Sequence, residues 1–358
     1  MKKKIIFSSG GTGGHIFPTI HLMNHFFNKG YEVLLLTDHR GNNFLKNYKN
    51  LRSIILKVDT PTNKNFLRKI LSFFVIFYSI IKSIVILKRE KPDLIFGFGG
   101  YVSFPISIAS IFFKLPLVIY ENNMVFGRAN KFLGIFSKKI LVARKIKINF
   151  PKKFEKKTHP VGPILNKDII NHSKKIKNIN KYFSILILGG SQGAEIFGKI
   201  VPPVIKIINE KGIKMQIFQQ CISSQKDSIA KFYEDNNIKN HVFDFNQNIL
   251  DLILSTDLAI TRCGASTTAE LVQTSTPFIG VPLPNSIDDH QFLNAKYYEE
   301  LGCCLLLDQK NFNTSSLLNL ILTIINDKKK LEIISNNMKK NNNKNVYINI
   351  ENIIKELI

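Results

Sequence analysis

Residues 4–15 read Lys-Ile-Ile-Phe-Ser-Ser-Gly-Gly-Thr-Gly-Gly-His. A short β-rich run empties into a glycine turn, and from Phe17 to about Asn28 apolar residues recur at helical spacing. Gly30 stops that helix, and Tyr31–Thr37 (YEVLLLT) reads as the next strand. The same grammar restarts at Phe183–Leu188 (FSILIL), which runs into Gly189-Gly190-Ser191-Gln192-Gly193-Ala194 ahead of a second helical pattern. Asp93–Gly97 and Leu117–Tyr120 are further strands of the first half. Met215–Gln219, His241–Phe243, Leu258–Thr261 and Phe278–Val281 are those of the second. Strands alternating with helices imply α/β architecture with parallel sheets covered on both faces. The chain thus reads as two tandem Rossmann-like halves, residues 1–162 and 163–337. They are separated within the Lys-, Asn- and Pro-rich stretch Lys152–Lys181, with the junction near Val161–Pro163. The tail is Lys/Asn-rich from about Asn336 and apolar over Val346–Ile358, the pattern of a closing helix.

A length of 358 residues fits two domains, and 44% hydrophobic residues is enough to build two cores, which excludes a disordered chain. Lys and Arg outnumber Asp and Glu by 50 to 26, a formal charge of +24 that attracts phosphate in any form. The chain is also heavy in Lys, Asn, Ile and Phe and lacks Trp, a bias that weakens the charge as a functional signal. Cys221, Cys263, Cys303 and Cys304 form no C-x-x-C pair, so reduced thiols are expected rather than zinc or disulfides. Lys2, Lys3 and Lys4 precede only Ile5-Ile6-Phe7, whereas a secretory core needs about 7–15 apolar residues.

Glycines between a strand and a helix let a phosphate approach the backbone, where the helix start offers free N–H groups. Gly10–His15 is not the dinucleotide fingerprint, because Ile16 stands where its third glycine belongs. Asp38, at the end of the second strand, keeps a ribose-binding dinucleotide reading open. His15 at a helix start tends to stay neutral and suits a general base, with a structural role in the loop as the equal alternative. Phe98-Gly99-Gly100-Tyr101 and Glu121-Asn122-Asn123 follow other strand ends, where ligands bind in open α/β sheets. In the second half Thr261–Glu270 (TRCGASTTAE) is a strand end, a turn and a helix start. Its Glu270 suits two ribose hydroxyls or, alternatively, the helix dipole. Asp288-Asp289-His290-Gln291 and Asn294 add polar groups, without a metal site.

Ile70–Ile81 (ILSFFVIFYSII) is nearly all apolar, and Arg68, Lys69 and Lys82 in the same window disfavour a membrane span. Phe74, Phe77, Ile81 and Ile84 fall on one helical face, with Lys64, Lys88, Arg89 and Lys91 crowding the flanks. An apolar face with a basic rim is the pattern of docking on an anionic bilayer surface. A core helix covering the sheet is the other reading.

Six blocks in order resemble the bacterial cell-wall glycosyltransferase family MurG. They are Gly10–Pro18 (GGTGGHIFP), Gly97–Pro105 (GFGGYVSFP), Glu121–Asn123 with Gly127–Lys131, Gly189–Ala194 (GGSQGA), Arg262–Leu271 (RCGASTTAEL) and Asp288–Ala295 (DDHQFLNA). The resemblance implies a GT-B fold, two Rossmann-like domains facing across a cleft, with a C-terminal helix (about 338–358) returning to the N-domain. It implies an inverting transfer of N-acetylglucosamine from UDP-N-acetylglucosamine to the C4 hydroxyl of the muramyl sugar of lipid I, giving lipid II. A related GT-B glycolipid transferase with another acceptor is the runner-up, and an NAD oxidoreductase or a basic binding module ranks below both. By matching position, His15 is the candidate base, with Glu121 or a water as the alternative. Thr12, Gly13, Gly14 and Asn123 belong to the N-domain side of the site, and Tyr101 lies on the acceptor side. Ser191 and Gln192 would contact the UDP phosphates, and Asn246 with Phe245 marks the poorly matching uracil-side loop. Ala265, Ser266, Thr267, Thr268, Ala269 and Glu270 would hold the nucleotide sugar, with Glu270 on the ribose. Gln291 and Asn294 would read the N-acetylglucosamine hydroxyls. Phe74, Phe77, Ile80 and Ile81 would dock on the cytoplasmic face of the inner membrane. The resemblance requires no metal or other cofactor, gives nucleic acid no role, and allows cell-wall synthesis or division proteins as partners. Two departures stand out: Tyr120 replaces the usual His, and the junction Gly162-Pro163-Ile164-Leu165-Asn166 lacks the usual Arg.

Overall fold

The computed structural model describes the chain outside residues 1, 12, 46–47, 49, 59–65, 147, 149, 173–181, 191–193 and 245–248, and outside the side chains of residues 66–69 and 328. Two compact units emerge, Met1–Asn166 with Lys344–Ile358, and Lys167–Asn343. In chain order the first contains β1 (Lys4–Ser8), α1 (Gly13–Asn28), β2 (Glu32–Thr37), α2 (His39–Phe44), β3 (Arg52–Ile55) and α3 (Phe66–Glu90). It continues with β4 (Leu94–Gly97), α4 (Gly100–Phe112), β5 (Leu117–Glu121), α5 (Arg128–Leu133), β6 (Lys139–Val142) and β7 (Thr158–Pro160). The second holds α6 (Lys167–Asn171), β8 (Phe183–Leu188), α7 (Glu195–Glu210), β9 (Met215–Gln220), α8 (Lys226–Asp235), β10 (Lys239–Phe243) and α9 (Ile249–Leu254). It ends with β11 (Leu258–Thr261), α10 (Ala265–Gln273), β12 (Phe278–Gly280), α11 (His290–Glu300), β13 (Leu305–Leu306), α12 (Thr314–Asn326) and α13 (Lys328–Lys340). The chain then returns to the first unit as α14 (Val346–Lys355).

The first sheet runs β3-β2-β1-β4-β5-β6-β7 and the second β10-β9-β8-β11-β12-β13. Neighbouring strands are parallel in both, as the alternation of strand and helix requires. Side chains alternate across the strands: Ile6 joins the core under α3 and α4, while the Phe7 ring meets Phe26 of α1 on the opposite face. The second sheet is buried between a core with α7, α8 and α12 and another with α10, α11 and α13. In each sheet the strand order reverses beside the first strand, at β1/β4 and at β8/β11. Such switch points leave a crevice outside the carboxyl ends of the strands.

Helix α3 has an inverted polarity. Ser72, Ser79 and Ser83 face inward and are fully buried or nearly so. Ser79 Oγ donates to the carbonyls of Val75 (2.8 Å) or Lys57 (2.5 Å), and Ser83 Oγ to Ser79 O (2.7 Å). The small hydroxyls bring α3 close to its support while their polar atoms stay paired. Leu71, Phe73, Phe74, Phe77 and Tyr78 point the other way, while Ile86 and Leu87 near the end of the helix join the core.

The closing helix is tied to the first unit by a buried pair. His25 Nε2 of α1 lies 2.6 Å from Glu351 Oε1 of α14, with the Tyr347 ring 4.6 Å from the imidazole. Burial alone would raise the Glu351 carboxyl, but the hydrogen bond and charge of His25, together with Lys29, outweigh it and hold the pKa below the usual value. A depressed carboxylate contributes stability above its unfolded pKa and loses it as pH falls through the folded value. Glu351→Gln should therefore cost about 1–2 kcal/mol at pH 7 in urea titrations, a penalty that fades as pH falls below the ordinary glutamate range and through the lower folded pKa.

Candidate active site

At the β1/β4 switch the glycine turn is held by close packing. A Cβ on Gly10 would collide with the Val102 side chain, so only glycine lets β1 leave the sheet beside α4. Ser103 Oγ donates to Ser8 O (2.8 Å) or Gly99 O (2.7 Å), which joins the two turns of the switch. Gly13 and Gly14 open α1, Gly14 being exposed, and His15 follows half-buried in its first turn. Tyr101 stands exposed at the start of α4. Gly13, Gly14 and His15 thus open α1 and Tyr101 opens α4, the helices that follow the paired strands β1 and β4; Thr12 lies outside the described residues.

Asp38 is not placed for a ribose. It caps α2, with Oδ1 accepting from Gly41 N (2.7 Å) and Gly11 N (3.3 Å) and Oδ2 from Arg40 Nε (3.2 Å) and Nη2 (3.0 Å). Burial would raise its pKa, but the two amides and the guanidinium outweigh it and keep the carboxylate ionised. A dinucleotide reading loses its acid to this capping role. The sequence carried the signal in Asp38-His39-Arg40-Gly41, an N-cap residue ahead of a helix start.

Glu121 is 3% exposed, and both its oxygens are engaged. Oε1 accepts from Asn123 N and Nδ2 (both 3.1 Å), and Oε2 from Gly127 N and Asn130 Nδ2 (both 3.0 Å). Four donors on one carboxylate shape the loop from Asn122 to Gly127 and leave it badly placed to take a substrate proton. Asn123 is thereby fixed at the carboxyl end of β5. Tyr120, 1% exposed, has its hydroxyl 3.1 Å from Asn122 Oδ1 and 3.2 Å from both Gly162 O and Ile164 N. Tyr347 of α14 donates to Leu165 O (2.6 Å). Two phenols therefore hold the segment 162–165 inside the first unit. The chain crosses to the second unit only at 166–167 and back at 343–344.

At the β8/β11 switch, Gly190 has φ +82° and its open side faces the Cβ of Arg262. Ser191, Gln192 and Asn246 lie outside the described residues. Arg262 braces the crevice: Nη1 donates to Val281 O and Pro282 O (both 3.1 Å), Nη2 to Gln309 Oε1, and the guanidinium stacks 4.9 Å over the Phe197 ring. Sequence reasoning gave this Arg no role. Ala265, Ser266 and Thr267 form the half-buried first turn of α10, whose amides lack intrahelical acceptors. Thr268 and Ala269 do not present side chains to the crevice: both are buried, and Thr268 Oγ1 turns back to Gly264 O (3.0 Å). Gln291 Oε1 accepts from Cys263 N (3.2 Å) and Leu283 N (3.0 Å), which points its amide nitrogen away from the backbone. Asn294 is buried and donates to Cys263 O (3.1 Å). Asp288 and Asp289 both adopt φ +52°, a left-handed pair. Among the described residues no group of three or more His, Cys, Asp or Glu side chains could hold a metal ion.

On α3, Phe74 and Phe77 are 67% and 63% exposed, and Ile81 is exposed with them. Ile80 is half-buried, and Ile84 turns toward the core, so the apolar face is narrower there than its spacing predicts. Leu71, Phe73, Tyr78 and Val85 widen it elsewhere. By length and composition Ile70–Glu90 could cross a membrane, yet α3 packs along α4 within the fold.

The glycosyltransferase family 28 N-terminal domain matches residues 5–142, and the family 28 C-terminal domain matches 184–352. A protein of Pelagibacter ubique, named UDP-N-acetylglucosamine–N-acetylmuramyl-(pentapeptide) pyrophosphoryl-undecaprenol N-acetylglucosamine transferase, is 38% identical over 98% of this chain and 97% of its own length. A Rickettsia bellii protein of the same name is 34% identical over 99% of this chain and all of its own. The crystal structure of Acinetobacter baumannii MurG superposes with a TM-score of 0.79 at 25% identity, covering 99% of this chain and 100% of that one.

Burial pushes the Glu270 carboxyl up to about 7. A raised carboxyl costs stability as pH climbs from its unfolded value near 4.3 through its folded one. Glu270→Gln should stabilise the ligand-free protein at pH 8 by about 1–3 kcal/mol and flatten its stability profile between pH 5 and 7, followed by urea unfolding.

Proposed function

The chain belongs to the glycosyltransferase family 28 enzymes that place N-acetylglucosamine on a lipid-linked muramyl pentapeptide, and on that premise we propose how its two units divide the substrates. The enzyme moves N-acetylglucosamine from UDP-N-acetylglucosamine to the C4 hydroxyl of the muramyl sugar of lipid I, forming lipid II for peptidoglycan. The observation that carries the division is one glycine turn at the switch point of each sheet. The first unit takes the acceptor at Gly13, Gly14, Tyr101 and Asn123, with Thr12 beside them in sequence. The second takes the UDP-sugar at Ser191, Gln192 and the first turn of α10. Glu270 accepts from the ribose hydroxyls and Gln291 faces the sugar, while Asn294, buried and bonded to Cys263 O, holds the Cys263 turn.

Inversion by one displacement needs a base on the acceptor hydroxyl and stabilisation of the departing diphosphate. His15 is the base. Glu121 serves instead to shape the Asn122–Gly127 loop, since its lone pairs already receive four donors. Amide groups at the start of α10 and in the Gly189–Ala194 turn neutralise the leaving group. The residues at hand supply these functions without a cofactor. The polyprenyl acceptor lies in a membrane, and Phe74, Phe77, Ile80 and Ile81 on α3 dock the enzyme peripherally on the anionic cytoplasmic face of the inner membrane. Each buried aromatic contributes roughly 1.5–3 kcal/mol there. Cell-wall synthesis or division proteins are the partners consistent with that location.

Radiolabelled UDP-N-acetylglucosamine with a lipid I analogue should yield labelled lipid; no labelled product overturns the assignment. His15→Ala should lower kcat by about 100-fold or more while donor binding changes less than twofold. Donor affinity should rise as pH passes through about 7, where Glu270 ionises, and Glu270→Gln should remove that dependence. Phe74→Glu with Phe77→Glu should cut sedimentation with anionic vesicles about tenfold or more without reducing turnover of a short-chain soluble acceptor.

A further inference from the structure

Arg40 is 73% exposed, yet its guanidinium is not loose. Nε and Nη2 both donate to Asp38 Oδ2, at 3.2 and 3.0 Å, which uses two of its five N–H groups and fixes the plane of the fork. The other oxygen of the same carboxylate receives Gly11 N at 3.3 Å. A single Asp therefore ties the cation to the first glycine turn. The space above Gly11 is bordered by that cation: a Cβ built there would lie 3.8 Å from Arg40 Nη2. Gly11 itself sits at φ +83°.

This arrangement has an electrostatic consequence. The Asp38 carboxylate lies beside the turn that takes the diphosphate-bearing acceptor, and alone it would repel that substrate. The first turn of α1 carries no acidic residue, so Asp38 is the anion to be offset there. Arg40 cancels its charge and keeps N–H groups facing outward, in the planar geometry that suits phosphate oxygens. An exposed ion pair between residues two apart contributes little to stability, so the fork is poorly explained as a structural brace.

We propose that Arg40 is an acceptor-positioning residue, which grips the diphosphate of the lipid-linked acceptor above the Gly10–Gly14 turn while Asp38 holds it in place. The inference rests on the assignment of the acceptor to the first unit. Full-length wild-type, Arg40→Ala and Arg40→Lys enzymes are compared by steady-state kinetics. The substrates are UDP-N-acetylglucosamine and a water-soluble, short-chain lipid I analogue that retains the diphosphate. Arg40→Ala should raise the acceptor KM about tenfold or more, with the donor KM within twofold of wild type and the melting temperature unchanged. Arg40→Lys, which keeps the charge and loses the fork, should fall between. Inorganic pyrophosphate should inhibit wild type competitively against the acceptor, and more weakly in Arg40→Ala. An acceptor KM within twofold of wild type in Arg40→Ala overturns the inference, as does a rise confined to the donor KM. Failure of the wild-type enzyme to glycosylate the analogue brings down the acceptor assignment as well.

Discussion

Parallel pairing is the constraint from which the rest of this molecule follows. Because neighbouring strands in both sheets point the same way, their carboxyl ends gather along one edge, and the next helix must begin there. Helix starts bring unpaired amides, and the reversal of strand order beside β1 and β8 separates two such starts far enough to leave a crevice. Gly10 makes this possible in the first sheet, since any side chain there would meet Val102 and push α4 away from β1. The Ser103 hydroxyl then links the two turns. The polar crevice is thus a by-product of how buried strands must be connected, and the residues placed in it give it chemistry.

Acidic residues divide into two kinds by what surrounds them. Asp38, Glu121 and Glu351 are organisers, each with several donors converging on its oxygens. They order a glycine turn, a loop and the closing helix respectively. At Glu270 burial alone drives the shift, which leaves a carboxyl that gains by meeting hydroxyl donors from a ligand. A carboxylate already saturated with protein donors has little to offer substrate, whereas one that is desolvated and shifted upward is primed for it.

Helix α3 shows the same logic in apolar form. A surface helix normally hides its large side chains and exposes small polar ones. Here serines pack inward, hydroxyls paired to backbone carbonyls, and phenylalanines face out. Exposed apolar surface of this extent marks a place where the helix meets a membrane or another protein.

Much of this was legible in the sequence because it depends on local order along the chain. Strand, glycine turn and helix follow one another within about fifteen residues, so the two α/β units, their glycine turns and the closing helix could all be read from Lys4–Asn28, Phe183–Ala194 and Val346–Ile358. Residue-by-residue roles were less legible, since they depend on partners distant in sequence. Asp38 has the position of a ribose ligand along the chain, but Gly11, 27 residues away, shares in occupying it. Glu121 follows a strand end as a base could, but donors from Asn123, Gly127 and Asn130 fill its oxygens. Thr268 and Ala269 belonged to a matching motif, but helical rotation turned them inward. Ile80 and Ile84 had the right spacing for an exposed face, and packing took part of that face into the core. The sequence by itself determined the order of elements, because propensity and periodicity are properties of neighbours along the chain. Only the tertiary structure decided which polar atoms remain available to substrate, because that depends on which donors folding brings to each acceptor.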